Sequence, residues 1–250
     1  VFDESRQGSK ARKLTNSENS GNLASNRVLS FAEDLEGEIW IGTDNGVSVF
    51  YDSNAIFQGE NASQVIVTMG EHNTYLLEGQ QINDIEIDGA NRKWFATNNS
   101  GVVVTSENGT EEIHHYTSEN SPLFSNKVID IEMNDVTGEV FFAIEKGLMS
   151  LRSESTQGNM DFSEVLVFPN PVKPDYSGPI TIKGLITDAV VKITDISGNL
   201  IYETVALGGQ AVWDGKSFDG QKAHTGVYLV FCSDKDGTIS HVTKLLFVRG

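Results

Sequence analysis

Ala32-Glu33-Asp34-Leu35-Glu36-Gly37-Glu38-Ile39-Trp40-Ile41-Gly42-Thr43 places an aspartate before a tight turn and a tryptophan three residues beyond the turn glycine, inside an apolar run. The pattern returns at Ile87-Asp88-Gly89-Ala90-Asn91-Arg92-Lys93-Trp94, where the turn is Ala90-Asn91, and again from Asp135 through Thr137-Gly138 to Phe141. Working outward, Val28-Leu29-Ser30-Phe31, Ile82-Asn83-Asp84-Ile85 and Val128-Ile129-Asp130-Ile131 precede the three turns, and Gly46-Val47, Gly101-Val102 and Gly147-Leu148 follow them. The units start 54 and 46 residues apart, and each reads strand, turn, strand, turn, strand. Ser17-Glu18-Asn19-Ser20 before the first unit reappears as Ser118-Glu119-Asn120-Ser121 before the third. A period of this length with four short strands per unit is that of a β-propeller blade.

About three blades cannot close a ring, since propellers close with roughly four to eight. Blades bury their faces only against neighbours. The sequence therefore predicts either the last blades of a larger propeller, which is the favoured reading, or blade edges that pair between chains. The start at Val1-Phe2-Asp3-Glu4, without initiator methionine or leader, reads as an internal or processed piece.

Composition shifts near residue 160. Residues 1–160 hold 10 basic and 25 acidic side chains, net −15, and residues 161–250 hold 8 and 10, net −2, which together give the −17 of the chain. Pro169, Pro171, Pro174 and Pro179 crowd the start of the second part, and 153–161 reads as a linker. Beyond it, Val165–Phe168, Ile180–Lys183, Val190–Thr194, Leu200–Thr204, Ala211–Trp213, Val227–Ser233 and Val242–Val248 read as seven strands, with a hairpin turn at Asp195-Ile196-Ser197-Gly198-Asn199. That is an immunoglobulin-like sandwich by size and strand count. The expected fold is all-β: a partial propeller of about three blades over 1–160, then an Ig-like sandwich over 161–250. Val227, Leu229 and Phe231 alternate with Tyr228, Val230 and Cys232, so one strand is apolar on both faces and its outer face should dock against something.

The acidity excludes a nucleic-acid binder driven by phosphate contacts. The longest apolar run, Val227–Cys232, is six residues and cannot span a bilayer as a helix, so no membrane-spanning segment is expected. There is no Gly-x-Ser-x-Gly, no His-Glu-x-x-His, no phosphate loop and no cysteine with a partner; the chain reads as a non-enzyme without cofactor. Trp40, Trp94 and Phe141, repeated at one position, read as inter-blade core rather than a carbohydrate platform. Asp34, Asp88 and Asp135 read as turn caps rather than metal ligands. Asp214 and Asp219, beside Gly215 and Gly220, come closest to a calcium loop but lack further acids. His114 and His115 point to opposite sides of a strand and cannot share an ion. Cys232 reads as a buried strand residue.

The blade stretches resemble those of the two-component-regulator propellers common in Bacteroidetes, over about 15–152. Val167-Phe168-Pro169-Asn170-Pro171, Ile193 to Leu200, Trp213-Asp214-Gly215 and Gly226-Val227-Tyr228 resemble the C-terminal domain associated with the type IX secretion system, and are also similar to the Ig-like domain of the flagellar hook-capping protein. Phe95-Ala96 and Phe142-Ala143 depart from the blade pattern, which prefers an aliphatic residue and glycine there. Propeller followed directly by such a terminus resembles the PorZ-like surface components of that system. The resemblance implies a non-enzymatic protein on the outer face of the outer membrane, with a PorU-like sortase and other attachment-complex proteins as partners, presenting anionic lipopolysaccharide to the sortase. A propeller fragment at −15 offers positive charge only near Lys10, Arg12 and Lys13, so an anionic ligand is expected on the sandwich, around Lys216 and Lys222 beside Trp213. Two rivals stay open: the glycan-sensing propeller region of a hybrid two-component receptor, which would continue into a membrane helix and kinase, and a secreted adhesin carried as cargo.

Overall fold

The structure is a computed structural model and describes residues 2–3, 10–69 and 72–249. The described residues form twenty-one strands, one 3-10 turn at Ala55–Gln58 and no α-helix. Two compact units are present: one holds 1–87, 91–133 and 140–151, the other 88–90, 134–139 and 152–250.

In the first unit, β1 (Phe2–Asp3) pairs with β2 (Lys10–Ala11). A three-stranded sheet follows, β3 (Val28–Glu33), β4 (Ile39–Thr43) and β5 (Gly46–Phe50), then a hairpin of β6 (Ile66–Met69) and β7 (His72–Tyr75). The second blade has four strands in order, β8 (Ile82–Ile87), β9 (Lys93–Thr97), β10 (Val102–Thr105) and β11 (Glu112–Tyr116). The third has three, β12 (Val128–Asn134), β13 (Glu139–Ile144) and β14 (Gly147–Arg152). Among the described residues, only the second blade shows the four regular strands that the repeat predicts. In the first, the fourth place is held by a single bridge, Val49 to Ser63, because the 3-10 turn and its flanking loop occupy the intervening chain.

Stacking explains the burial. In the middle blade β9 and β10 are buried at every position, which is why Val102-Val103-Val104 is apolar without alternation. In the third blade β13 alternates, with Val140, Phe142 and Ile144 buried and Phe141 and Ala143 half-buried, the pattern of a sheet covered on one face. Trp40 of the first blade meets Phe95 of the second with ring centres 6.4 Å apart, and Trp94 of the second meets Phe142 of the third at the same distance. Each tryptophan thus faces the next blade. Phe141, third in that series, has no following blade among the described residues.

In the second unit, seven strands lie within two residues of the sequence reading: β15 (Leu166–Phe168), β16 (Ile180–Lys183), β17 (Val190–Asp195), β18 (Leu200–Val205), β19 (Gln210–Trp213), β20 (Gly226–Ser233) and β21 (Ser240–Phe247). They form two antiparallel sheets, β15-β16-β19 and β18-β17-β20-β21, closed on one core of Ile180, Ile182, Val191, Ile193, Trp213, Val230, Leu245 and Phe247 among others. Asp195 makes the β17–β18 turn: its carboxylate accepts the Ser197 and Asn199 amides at 2.8 and 2.9 Å, and Gly198 takes φ +86°. The segment 153–161 is not a free linker. Thr156 bridges Gly208 and Asn159 bridges Ile186, both in parallel, and Ser155 is fully buried. Along β20 the inward face is Tyr228, Val230 and Cys232. On the outer face Val227 and Phe231 are exposed, beside exposed Leu246 and Val242 of β21.

Candidate functional site

The residues that the sequence puts forward for ligand contact stand at one end of the sandwich. Trp213 ends β19, and the loop after it returns through a bridge between Lys216 and Lys222. An open groove of about 570 Å³ has Lys216, Lys222, Tyr176, Asp214, Glu154 and Phe247 on its walls. Lys216 reaches Asp214 at 2.8 Å, and that ammonium, beside the carboxyl, holds Asp214 below its ordinary value. Lys222 Nζ lies 6.0 Å from the centre of the Phe247 ring.

Trp213 is no ligand platform. It is fully buried, stacked on Tyr202 at 6.2 Å and edge-on to Tyr228 at 5.8 Å, and its indole N–H donates to the Lys216 carbonyl at 2.6 Å. The aromatic that reaches the groove is Tyr176, half-buried, whose hydroxyl donates to the Pro179 carbonyl at 2.8 Å. Sequence gave no signal for it, because it sits outside any strand, between prolines. With two carboxylates and two ammonium groups the groove is close to charge balance. Of the basic trio nearer the start, Arg12 donates to the carbonyls of Ile56, Gly59 and Glu60, Lys13 is exposed, and the Lys10 side chain lies outside the described residues.

The blade turns use their acids structurally. Asp34 Oδ1 accepts the Glu36 and Glu38 amides at 3.0 and 2.9 Å, and Asp88 accepts Ala90 at 2.9 Å. Asp135 is a correction. The third turn is one residue longer, and Asn134 takes the capping place, accepting Val136 at 3.2 Å and Thr137 at 3.0 Å. Asp219 caps its own turn through the Gln221 amide at 3.2 Å. Among the described residues no three histidine, cysteine or acidic groups are placed to hold a metal ion. His114 stacks on Tyr116, whereas His115 bonds the Ser100 carbonyl.

One feature of the blades has no counterpart in the sequence reading. Lys93 of β9 is fully buried, 2.8 Å from Asp34 Oδ2, which also accepts the Trp40 indole N–H at 3.2 Å. Burial alone would raise Asp34, but Lys93 and the Glu38 and Glu36 amides hold it below the ordinary carboxylate value. Glu38, at the end of the same turn, is pushed up by burial and by the Asp34 charge.

Residues 166–247 match the secretion system C-terminal sorting domain, and 22–45 match the two component regulator propeller. Among solved structures the chain is similar over 99% of its length to PorZ, described as an essential bacterial surface component of the type-IX secretion system of Porphyromonas gingivalis, at 27% identity and a TM-score of 0.64. The chain spans 34% of that protein's length. The extracellular domain of a hybrid two component system of B. thetaiotaomicron is matched over 97% of this chain and 53% of that one, at 12% identity and a TM-score of 0.41. No curated protein sequence matches. The chain is thus similar to PorZ, with a match to a regulator-type propeller near its start and a secretion system C-terminal sorting domain at its end.

Proposed function

We propose that this PorZ-like chain is the last-blades-and-sorting-domain part of a non-enzymatic component of the type IX attachment complex, held on the outer face of the outer membrane, where it scaffolds a PorU-like sortase and presents anionic lipopolysaccharide to it. One observation carries the reading: similarity to PorZ runs through blades and sandwich in the same order, over 99% of this chain. The half-open third blade supports it, since a further blade stacked on Phe141 would complete what a chain spanning a third of PorZ leaves open. The exposed apolar strip of Val227, Phe231, Val242 and Leu246 suits a protein partner such as the sortase.

For the glycolipid we assign the groove of Lys216, Lys222 and Tyr176, with Trp213 positioning the loop from beneath. Replacing both lysines, Lys216→Glu with Lys222→Glu, should weaken binding to immobilised anionic lipopolysaccharide by roughly tenfold or more at low salt. Undiminished binding would remove the groove from the proposal. The cargo reading is separated by the intact mass of the surface-borne protein: a component retains residues 165–250, whereas cargo loses them on export.

A further inference from the structure

Asp34 and Lys93 belong to neighbouring blades, 59 positions apart in sequence, and both side chains are fully enclosed. Lys93 stands where the sister units carry Ile39 and Val140, immediately before the repeated aromatic. Stability gives little reason for the exchange, because a buried ion pair rarely outperforms well-packed apolar residues of similar volume. What the exchange does create is an amine held against a carboxyl. Nζ is 2.8 Å from Oδ2, and it is fixed there by the Asn91 carbonyl at 2.9 Å and by the Trp40 ring, whose centre is 4.9 Å away. Such fixed contact between reacting groups replaces an encounter with a positioned pair.

The rest of the carboxyl's surroundings matches the needs of acyl transfer. Oδ1, turned away from the amine, accepts two backbone N–H groups, from Glu36 at 3.0 Å and Glu38 at 2.9 Å, the arrangement that stabilises a developing oxyanion. Oδ2 faces the amine and the Trp40 N–H, in the place of a leaving oxygen. Glu38 lies in the same turn, its carboxyl pushed up by burial and by the Asp34 charge, and can carry a proton.

We propose that Asp34 and Lys93 condense into an intramolecular isopeptide bond that ties the first blade covalently to the second. Lys93 and the turn amides favour the ion pair, so the reaction proceeds through its minor form, in which the Nζ proton has passed to Oδ2 to leave an amine and a carboxylic acid. The amine lone pair attacks Cγ, the N–C bond forms, and the displaced electron pair rests on Oδ1 under the Glu36 and Glu38 amides. Glu38 gives its proton to Oδ2 and takes one from the nitrogen. The C–Oδ2 bond then breaks, water leaves, and Oδ1 becomes the amide carbonyl oxygen. Ammonium plus carboxylate gives amide plus one water, so no oxidant, reductant or activating group is required.

The test is the intact mass of the purified 250-residue chain under denaturing conditions, followed by proteolysis. The expected mass is that of the sequence less one water, with a branched peptide joining the segments that contain Asp34 and Lys93. The Lys93→Arg variant should return to the full mass, and Glu38→Gln should shift the population from linked toward unlinked. Wild-type protein at the full sequence mass with two separate peptides overturns the proposal. Water loss that persists in Lys93→Arg overturns it as well, assigning the loss to an aspartyl imide at an Asp-Gly step such as Asp88-Gly89. Complete linkage in Glu38→Gln overturns the proton-carrying role of Glu38.

Discussion

Replacing Trp213 by phenylalanine separates the two roles that its sequence position allows. The structure has the ring wholly inside the sandwich, against Tyr202, Tyr228 and Phe247, with its N–H on the Lys216 carbonyl. Phenylalanine keeps most of the ring contacts but removes the donor, leaving a part-buried carbonyl unpaired at a cost of about 1–3 kcal/mol. Alanine removes the ring as well, for about 3–5 kcal/mol. For a unit of this size each kcal/mol lowers the melting temperature by roughly 4–8 °C. The phenylalanine variant should therefore melt on the order of 10 °C lower, and the alanine variant should lose much of the sandwich's cooperative transition. Calorimetry on the full chain, following the transition of the C-terminal unit, reads this directly. A Trp213→Phe protein that melts with the wild type while losing glycolipid binding would refute the reasoning and restore Trp213 as a contact surface.

Three further outcomes are expected. Cys232, its thiol pushed up to about 12 by burial, should resist iodoacetamide in the native protein at mildly alkaline pH and react once urea unfolds the sandwich; rapid native labelling would contradict its placement. Asp84 is raised by burial although the Ile131 amide donates to it at 3.0 Å, so its charge costs stability above its folded pKa and that cost fades as pH falls through it. Asp84→Asn, which keeps an acceptor, should stabilise the blades in urea titrations at neutral pH and lose the advantage in acid; a variant less stable at neutral pH would contradict this. Gly208 has φ +63° and would place a Cβ 2.0 Å from the Thr156 carbonyl oxygen, so Gly208→Ala should cost at least about 1–3 kcal/mol, and a neutral calorimetric result would show that 153–161 does not lie along the sandwich.

Much of the fold is legible because strands leave periodic marks. An aromatic recurs three residues beyond a turn residue of positive φ, Gly37, Asn91 and Gly138, along the blades. Alternation in 190–195 and the apolar run within 226–233 mark sandwich strands to within a residue or two. The site is less legible. Trp213, next to two lysines in sequence, looks like a stacking surface, but its side chain turns inward and Tyr176, thirty-seven positions earlier, reaches the groove instead. Asp135 looks like the third turn cap by alignment, yet one added residue gives the place to Asn134.

By itself, then, the sequence determined the classes of element, their order, the repeat and the uneven spread of charge, because these follow from local pattern and composition. The tertiary structure alone decided which face of a strand is covered, which turn residue caps, and that Lys93 meets Asp34 across two blades. These depend on neighbours brought together from distant positions, and a charge in an apolar strand says only that some partner must exist, not which one.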